Sequence, residues 1–460
     1  MFETHRAERA FAVATATVLV LSVVAAAAVA GQDRPDGDLV FDPDVPETDG
    51  FSAPAADGTA TVAGESYDSL QRAVDVAEPG QTVRVDGRFD ETVTVRTANL
   101  TIVGGEPGSA LLHGDGEGDV LTVDAPGVTV SDLWVRNSGY STAENDAAVL
   151  VNASHVTVRD SRITDMTFGV WLNGVSDARV VNNTIVGREE ITRLTDRGNG
   201  IQIWKTEDSI IRNNAITTVR DGLYYNWAKD VVASNNTLWD LRYGVHYMYS
   251  DDCHLYNNTA FDNDVGYALM VSKHLVIRDN VAVNNTGQSG HGLLVKSIDD
   301  TEISGNHLVG NDNGLFVYNS VSNEITSNLV VGNDVGVHIA AGSKDETVVN
   351  NSFVRNDRAV LAVMSEQVTW NESVGNYWSG ANPTDLDDDG VGETRYQPAG
   401  AVQQLTAETP AARVFASSPA FDAVRLAQSA VPVIESPGVV DARPLTEPPH
   451  DNWRTYYERD

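Results

Sequence analysis

Apolar and polar positions along the middle of the chain follow a pattern that repeats about every 22 residues. A glycine marks each repeat, and successive glycines are 31, 22, 22, 22, 26, 22 and 22 residues apart. These glycines are Gly169, Gly200, Gly222, Gly244, Gly266, Gly292, Gly314 and Gly336. A period of this length is typical of a solenoid. The two longer steps indicate the same repeat with insertions, at residues 188–197 and 285–291.

Each repeat contains three short stretches that have the alternation of a β-strand. Residues one and three positions after the glycine are apolar in all eight repeats, as in Val245 and Tyr247, which predicts a strand with one buried face. Further apolar columns lie eleven and sixteen positions after the glycine, as in Leu255 and Ala260. A leucine-rich repeat requires its own consensus, and a propeller blade requires roughly 40 residues. The pattern therefore predicts an all-β chain folded as a right-handed parallel β-helix.

An asparagine recurs fourteen residues after most of these glycines. The column contains Asn183, Asn214, Asn236, Asn258, Asn280, Asn306 and Asn328. Asparagine tolerates the left-handed backbone conformation that tight turns require. We expect this column to lie at an inward-facing turn, with its amides hydrogen-bonded to the neighbouring coils.

The regions outside the repeat predict further segments. Residues 1–34 place two arginines before a long apolar run that ends in small residues, which is typical of a cleaved signal peptide or a retained membrane anchor. Either alternative places the rest of the chain on the outer face of the cytoplasmic membrane. Residues 35–60 predict an acidic linker, 61–400 the β-helix, and 401–460 an irregular, proline-punctuated C-terminal tail. Apolar residues at helical spacing in 67–77 predict a short helix that caps the first coil.

The composition is strongly acidic. Asp and Glu outnumber Lys and Arg by 65 to 31, which gives a formal charge of −34. Binding to nucleic acid requires a basic surface, so this class of partner is excluded. An excess of carboxylates keeps a protein soluble in concentrated salt, which indicates a halophilic origin. Cys253 is the only cysteine, so no disulfide can form within the chain.

The outward positions of the first strand in each repeat, two and four residues after the glycine, contain no Asp or Glu. A solvated face of so acidic a protein would be rich in both. Aromatic residues, His and Met on such a face predict a surface that recognises a partner. The predicted contact residues are Trp171, Trp204, Tyr224, Phe316, Tyr318 and His338.

Three of these outward positions predict a copper site. His246 and Met248 lie two residues apart on one strand, and Met270 is expected beside Met248, about 4.8 Å away in the next coil. Imidazole and thioether ligands suit copper, and thioethers favour Cu(I). The alternative is that both methionines cover a partner-binding patch, and the spacing alone leaves both interpretations open. Cys253 falls in a column of small or apolar residues and predicts a packed core residue.

A second candidate metal site follows the repeats. Asp385, Asp387 and Asp389 alternate before a glycine, and Glu393 follows. This spacing resembles the start of a calcium-binding loop of the EF-hand kind. The alternative is an acidic turn without a bound ion.

Several motifs resemble the NosD family. They are Gly-Val-His-Tyr-Met-Tyr-Ser at 244–250, Gly-Tyr-Ala-Leu-Met at 266–270, Gly-Asn-Tyr-Trp-Ser at 375–379, Ser-Pro-Ala at 418–420 and the Val-Asp and Pro-Leu pairs within 440–445. The resemblance runs from about residue 60 to residue 449. It implies an exported accessory protein rather than an enzyme, one that helps assemble the copper-sulfide centre of nitrous oxide reductase. It also implies copper binding, and as partners an ABC-type ATPase with its membrane subunit, a copper chaperone and the reductase.

The rival interpretation is a β-helix polysaccharide lyase, hydrolase or epimerase, or a carbohydrate-binding surface protein. Trp171, Trp204 and Tyr224 on one long face suit stacking on sugars. That face lacks the pair of carboxylates that glycoside hydrolysis requires. A purely structural adhesin is a third possibility, and it predicts no dependence on metal.

Overall fold

The chain folds as a parallel β-helix, which confirms the architecture that the repeat predicts. The computed structural model describes residues 38–105, 108–364, 367–371, 373–379, 381, 383–399, 418, 420, 438–450 and 452–457. The predicted signal or anchor at 1–34 and most of the predicted tail lie outside these residues. No helix within the described ranges has the length and apolar character needed to cross a membrane.

The first sheet contains 12 parallel strands, one from each successive coil. They are Val93–Val95, Leu121–Val123, Ala147–Val151, Phe168–Asn173, Ile201–Trp204, Asp221–Asn226, Tyr243–Met248, Val265–Lys273, His291–Asp299, Asn313–Tyr318, Val335–Ile339 and Arg358–Ala362. Val245, Tyr267 and Leu293 are paired in consecutive strands. All three side chains are buried, as the alternation predicts.

The other two faces of the solenoid are formed by two further strand ladders, joined through the long strand Thr82–Asp90. The second sheet contains Thr59–Val62, Glu65–Tyr67, Thr82–Asp90, Thr101–Gly104, Thr129–Ser131, Thr157–Arg159, Arg179–Val181, Ile210–Arg212, Val232–Ser234, His254–Tyr256, Val276–Arg278, Glu302–Ser304, Glu324–Thr326 and Thr347–Val349. The third sheet contains Ala110–His113, Trp134–Arg136, Arg162–Thr164, Thr184–Val186, Ala215–Thr217, Thr237–Trp239, Thr259–Phe261, Val281–Val283, His307–Val309, Leu329–Val331, Ser352–Val354 and Tyr377–Trp378.

The asparagine column forms a continuous ladder at the buried turn between the second and third sheets. Asn258 is fully buried, and its Oδ1 accepts hydrogen bonds from the backbone and side-chain N–H groups of Asn236 at 2.9 Å. Its Nδ2 donates to the carbonyl of Ala233 at 3.1 Å and to Asn280 Oδ1 at 3.0 Å. The same pattern joins Asn183 to Asn214 and Asn328 to Asn351. Each amide therefore satisfies turn groups that no strand can reach, as expected from the sequence. The left-handed backbone lies one residue before the ladder, as at Asn235 and Asn257, and not at the ladder residues themselves.

The repeating glycine is required by the close approach of adjacent coils. A Cβ atom on Gly244 would lie 2.5 Å from the carbonyl oxygen of Gly266, and one on Gly222 would lie 2.5 Å from that of Gly244. Both distances are far below van der Waals contact with backbone that cannot move aside. The glycine column therefore marks the position at which the backbones of adjacent coils lie too close together for any side chain.

Each end of the solenoid is closed. The helix Leu70–Val76 covers the first coil, with its N-terminus capped by the Ser69 hydroxyl, which confirms the predicted helical cap. The other end is closed by stacked aromatic rings, with Trp378 4.3 Å from Phe353 between ring centroids. Trp378 Nε1 also donates to Asp441 at 2.8 Å. Asp441 belongs to a small sheet formed by Gln367–Thr369, Tyr396–Ala399 and Gly438–Asp441.

The described ends of the chain meet on the outer face of the third sheet. Leu39 forms an antiparallel bridge with Tyr457, and the Val40 N–H donates to the carbonyl of Tyr456 at 2.9 Å. Phe41 packs edge-on against Phe261 at 5.7 Å. The described residues include two 3₁₀ helices, Leu194–Asp196 and Asn452–Tyr456. The second leads directly into the contact between Tyr457 and Leu39.

Replacement of Asn258 by Ala is expected to destabilise the solenoid more than any single exposed turn substitution. The change leaves buried N–H and carbonyl groups of two neighbouring coils without partners, at a cost of about 1–3 kcal/mol per group. Thermal unfolding of the variant measures the loss. The matched control is Asn257→Gly at the adjacent exposed position, because glycine adopts the left-handed backbone of that residue without strain. An equal loss of stability in both variants would contradict a structural role for the ladder.

Candidate metal centre

The three predicted copper ligands lie together on the outer face of the first sheet. Met248 and Met270 are direct partners in adjacent parallel strands, Tyr243–Met248 and Val265–Lys273. His246 precedes Met248 by two residues, so its side chain leaves the same face of the strand. Both methionines are partly exposed. The structure thus brings the three residues to one place, while their role as copper ligands stays a prediction.

The outer face is less exposed than the sequence predicts. His246 is 8% exposed and Ala268, its partner in the next strand, is fully buried. Ala268 forms a small outer cluster with Val265 and Leu294, against which Met270 and other side chains pack. Ala268 thus points away from the main core, as the alternation predicts, but neighbouring side chains on the same face cover it.

A carboxylate that the sequence reasoning missed holds the imidazole of His246. Asp221, in the preceding coil, is fully buried, and its Oδ2 lies 3.1 Å from His246 Nδ1. Arg242 binds the same carboxylate in a bidentate manner, with Nε to Oδ1 at 2.9 Å and Nη2 to Oδ2 at 2.6 Å. Arg220 lies 3.6 Å from Oδ2. Asp221 directly precedes the repeat glycine Gly222, and the equivalent residues in the next two coils are Tyr243 and Val265. A carboxylate at this otherwise uncharged position was the sequence signal that could have indicated a partner for His246.

The charge of Asp221 is maintained by these contacts. Burial alone would raise the pKa of Asp221, but hydrogen bonds from His246 and Arg242 outweigh it and hold the pKa below its ordinary value. For Arg242, burial lowers the pKa, and the bond to Asp221 more than compensates. The pair is therefore ionised at neutral pH. The carboxylate fixes the His246 ring through Nδ1, an arrangement that orients metal-binding histidines in proteins.

The other ring nitrogen of His246 has no partner. Nε2 is shielded from solvent and makes no hydrogen bond within the described structure. Tyr224 lies against the ring with centroids 4.6 Å apart, and Tyr243 approaches edge-on at 5.0 Å. A shielded nitrogen without a partner costs free energy. This nitrogen without a partner, on the same sheet face as Met248 and Met270, fits a soft metal ion such as Cu(I).

Three exposed apolar residues form a ridge along the turn next to the methionines. Trp227, Tyr249 and Val271 occupy the same position in consecutive coils, directly after Asn226, Met248 and Met270. Their exposed fractions are 56%, 43% and 39%, and the Trp227 and Tyr249 rings stack at 4.8 Å.

The backbone of this ridge is strained. The φ angles of Trp227, Tyr249 and Val271 are 57°, 53° and 50°, a region that bulky and β-branched residues avoid. Such residues cost about 1–3 kcal/mol each and cluster at functional sites. The equivalent position in other coils is Gly174, Lys205, Ser297, Asn319 or Ala341, none of which is aromatic or β-branched. Aromatic residues where a turn favours Gly or Asn were therefore the signal that the sequence reasoning missed.

The six predicted partner-contact residues lie on the first sheet and are spread along the solenoid. Tyr318 is 41% exposed, and the other five are partly exposed. Phe316 packs between His291 and His338, with ring centroids at 4.7 and 4.6 Å. Burial, reinforced by the neighbouring His338, lowers the pKa of His291 to about 4. His338 is four coils from His246, so it cannot share the same ion.

Cys253 is fully buried in the main hydrophobic core, which confirms the prediction of a packed core residue. Burial raises the pKa of its thiol to about 12. The thiol is therefore neutral at physiological pH and unsuited to metal binding.

The acidic loop brings its four predicted ligands together. Carboxylate oxygens of Asp385, Asp387, Asp389 and Glu393 all lie within 4.8 Å of one another. The Asp385 carboxylate accepts backbone hydrogen bonds from Gly390 and Asp388, at 2.8 and 2.7 Å. These bonds, the one from Gly390 first, lower the pKa of Asp385. Oxygen donors gathered in one turn suit a calcium ion, although exposed acidic groups also cluster without one.

Comparison with known proteins gives relatives that extend over most of the chain. The profile of the family described as "Periplasmic copper-binding protein (NosD)" matches residues 181–383. A Pseudomonas aeruginosa protein named "Probable ABC transporter binding protein NosD" is 36% identical over 410 residues, which cover 85% of this chain and 94% of that protein. A protein of the same name from Stutzerimonas stutzeri is 33% identical over 368 residues, 76% of this chain and 83% of that protein.

Among solved structures, the A-module of the mannuronan C-5 epimerase AlgE6 from Azotobacter vinelandii resembles the chain in fold. The TM-score is 0.52 at 13% sequence identity, and the match covers 64% of this chain and 91% of that one. At this identity the likeness concerns the β-helix architecture and carries no information on activity.

Replacement of Asp221 by Asn is expected to destabilise the protein in a pH-dependent manner. A carboxyl group whose folded pKa is lowered stabilises the fold above its unfolded value, near 3.9, and loses that contribution as pH falls through the folded pKa. Breaking a buried ion pair costs about 3–5 kcal/mol. Thermal midpoints measured from pH 7 down to pH 3 should show a large deficit at neutral pH that narrows below about pH 4.

The matched control for this prediction is Asp230→Asn. Asp230 forms an exposed pair with Lys229 at 3.6 Å, and such pairs contribute little to stability. A deficit in Asp221→Asn that is independent of pH would contradict an ionised, stabilising carboxylate.

Proposed function

Because the chain belongs to the NosD family of periplasmic copper-binding proteins, we propose that it is an exported, non-catalytic accessory protein for the maturation of nitrous oxide reductase. In this proposal it receives copper and passes it on during assembly of the reductase's copper-sulfide centre. The observation that carries the proposal is the orphaned His246 Nε2 beside the paired Met248 and Met270.

The chemistry of the site suits transfer rather than permanent storage. Asp221 holds His246 in one orientation, so this ligand needs no rearrangement when an ion arrives. Met248 and Met270 are partly exposed side chains on a rigid sheet, and thioethers prefer Cu(I) to Zn²⁺. The two partly exposed methionines give an ion a route in and a route out. Copper is here the cargo of the protein.

The surface around the site suits a protein partner. The predicted contact residues along the first sheet, together with the ridge of Trp227, Tyr249 and Val271, place apolar and aromatic area beside the methionines. Aromatic anchors of this kind dominate protein–protein contacts. The relatives' names refer to an ABC transporter. We take the partners to be an ABC-type ATPase with its membrane subunit, a copper chaperone and nitrous oxide reductase.

The proposal assigns a role to each segment of the chain. Residues 1–34 direct export, as a cleaved signal or as an anchor to the outer face of the cytoplasmic membrane. Residues 35–60 link them to the β-helix at 61–400, and the tail from Pro410 reaches the membrane partner. The chain has 65 acidic and 31 basic residues, and this excess of negative charge keeps the protein soluble in concentrated salt.

The rival function, action on a polysaccharide, is less well supported. Asp221 is fully buried and bound by Arg242, so it is not available to activate water or abstract a proton from a sugar. Trp227 and Tyr249 stack on each other, so the facing sides of these rings are occupied and unavailable for sugars.

For the acidic loop we propose a calcium site that stabilises the end of the solenoid. The loop is adjacent to the closing segment, since the Gly392 N–H donates to the carbonyl of Pro444 and Thr446 to that of Gly390. A calcium ion bound by Asp385, Asp387, Asp389 and Glu393 would offset part of the repulsion among four close carboxylates and hold this contact.

Addition of calcium to chelator-treated protein is expected to raise its thermal midpoint, because a ligand that binds the folded state stabilises it by about 2.7 kcal/mol at 100 times Kd. The double variant Asp387→Asn/Asp389→Asn should lose the increase. Asp388→Asn, in the same loop but outside the cluster, should retain it. An unchanged midpoint in wild-type protein would reduce the loop to an acidic turn.

The copper proposal is tested by Cu(I) titration against a competing chelator. His246→Ala and Met248→Ala/Met270→Ala should each weaken binding by roughly tenfold or more, because each removes direct ligands. The matched control is His338→Ala, at the equivalent position four coils away, which should bind as wild type does.

Activation of the reductase in cells separates the remaining outcomes. Loss of both Cu(I) affinity and activation in the ligand variants supports the proposal. Unchanged Cu(I) affinity with lost activation would make this face a protein-docking surface. If the variants retained both, the site would be discarded.

A further inference from the structure

The turn between the second and third sheets carries the triplet Asn-Asn-Thr in several coils. The first asparagine lies in the left-handed region, with φ of 54° at Asn235 and 52° at Asn257. The second belongs to the buried ladder, and Thr237 and Thr259 begin the next strand with partly exposed side chains. The fold thus displays Asn-x-Thr, the acceptor sequence for N-linked glycosylation, at an outer corner.

Asn235 and Asn257 have the exposed and unengaged side chains that an acceptor requires. Both are exposed, and their backbone N–H groups are bound to the next coil, by the carbonyls of Tyr256 and Arg278. Within the described ranges neither side-chain amide makes a hydrogen bond. Each Nδ2 is therefore presented to solvent by a backbone that is fixed on both sides.

Of the remaining Asn-x-Thr and Asn-x-Ser triplets, all but one are engaged or buried. The exception is Asn99, which is exposed but precedes the strand Thr101–Gly104 of the second sheet and so lies at a different corner. Asn371 is buried. The others bond through Nδ2: Asn152 to Asp124, Asn182 to Asp160, Asn284 to Asp262 and Asn350 to Ser327. The observations therefore favour the adjacent pair Asn235 and Asn257.

We propose that Asn235 and Asn257 are N-glycosylated once the chain has been exported. A glycosyltransferase of the organism that encodes the chain would use an oligosaccharide linked through phosphate to a polyisoprenoid lipid. The bond between the anomeric carbon and the phosphate oxygen breaks, a bond from that carbon to Asn Nδ2 forms, and the proton lost by the amide passes to the departing phosphate. The lipid phosphate is the leaving group.

The position of the pair fits modification without loss of the metal centre. The three sheets form three faces, and the turn between the second and third sheets is the corner that does not border the first sheet. Glycans on adjacent coils at this corner would cover the turn and leave His246, Met248 and Met270 open to a partner.

The test is mass spectrometry of glycopeptides from the full chain, expressed in the organism that encodes it and isolated from the exported fraction. Peptides with Asn235 and Asn257 should carry a common glycan mass. The chain provides a matched control in Asn213-Asn214-Ala215, the same exposed turn with alanine in place of threonine. Asn213 should be unmodified.

Substitutions at the third residue distinguish acceptor chemistry from folding. Thr237→Ala should abolish modification of Asn235 only, Thr237→Ser should restore it at least in part, and Ala215→Thr should create a new acceptor at Asn213. The buried ladder is unchanged in all three, so Cu(I) binding should not change. Unmodified Asn235 and Asn257 peptides in exported wild-type protein would overturn the proposal, whatever the outcome of the copper titrations.

Discussion

The architecture depends on the hydrogen-bonding requirement of backbone that turns inside a protein. A coil of about 22 residues changes direction three times, and its inward turns expose amide groups that strand pairing cannot reach. Buried groups without partners are costly. The asparagine ladder solves this in every coil by the same pattern, with Oδ1 accepting from one neighbour and Nδ2 donating to the next. Because each amide needs the one above and the one below, the coils are held in a single register.

That fixed register allows the two faces of one strand to carry very different residues. The inward side of Tyr243–Met248 packs into a continuous core, with Val245 and Tyr247 fully buried. The outward side takes no part in the ladder or the core. His246 can therefore lie beside Asp221 of the preceding coil, and Met248 beside Met270 of the next coil. The ridge of Trp227, Tyr249 and Val271 even accepts an unfavourable backbone. A rigid support allows such strain to be retained.

Much of the fold was predictable from the sequence because the repeat expresses it directly. Columns such as Val245, Tyr267 and Leu293 predict which side chains are buried, and the asparagine column predicts the position of the inward turn. The pairing of Met248 with Met270 followed from strand spacing. Asp221 was not predictable in the same way, because its contact with His246 joins different positions of successive coils. The burial of Ala268 depends on side chains from neighbouring coils that cover the sheet, which no single column shows.

The meeting of Leu39 with Tyr457 on the third sheet has a consequence for orientation. A chain anchored through residues that precede Leu39 would be attached to the flank of the solenoid, near Phe261, rather than to its capped tip. The point of attachment would then lie partway along the solenoid, between its two closed ends, and neither end would have to face the attachment surface.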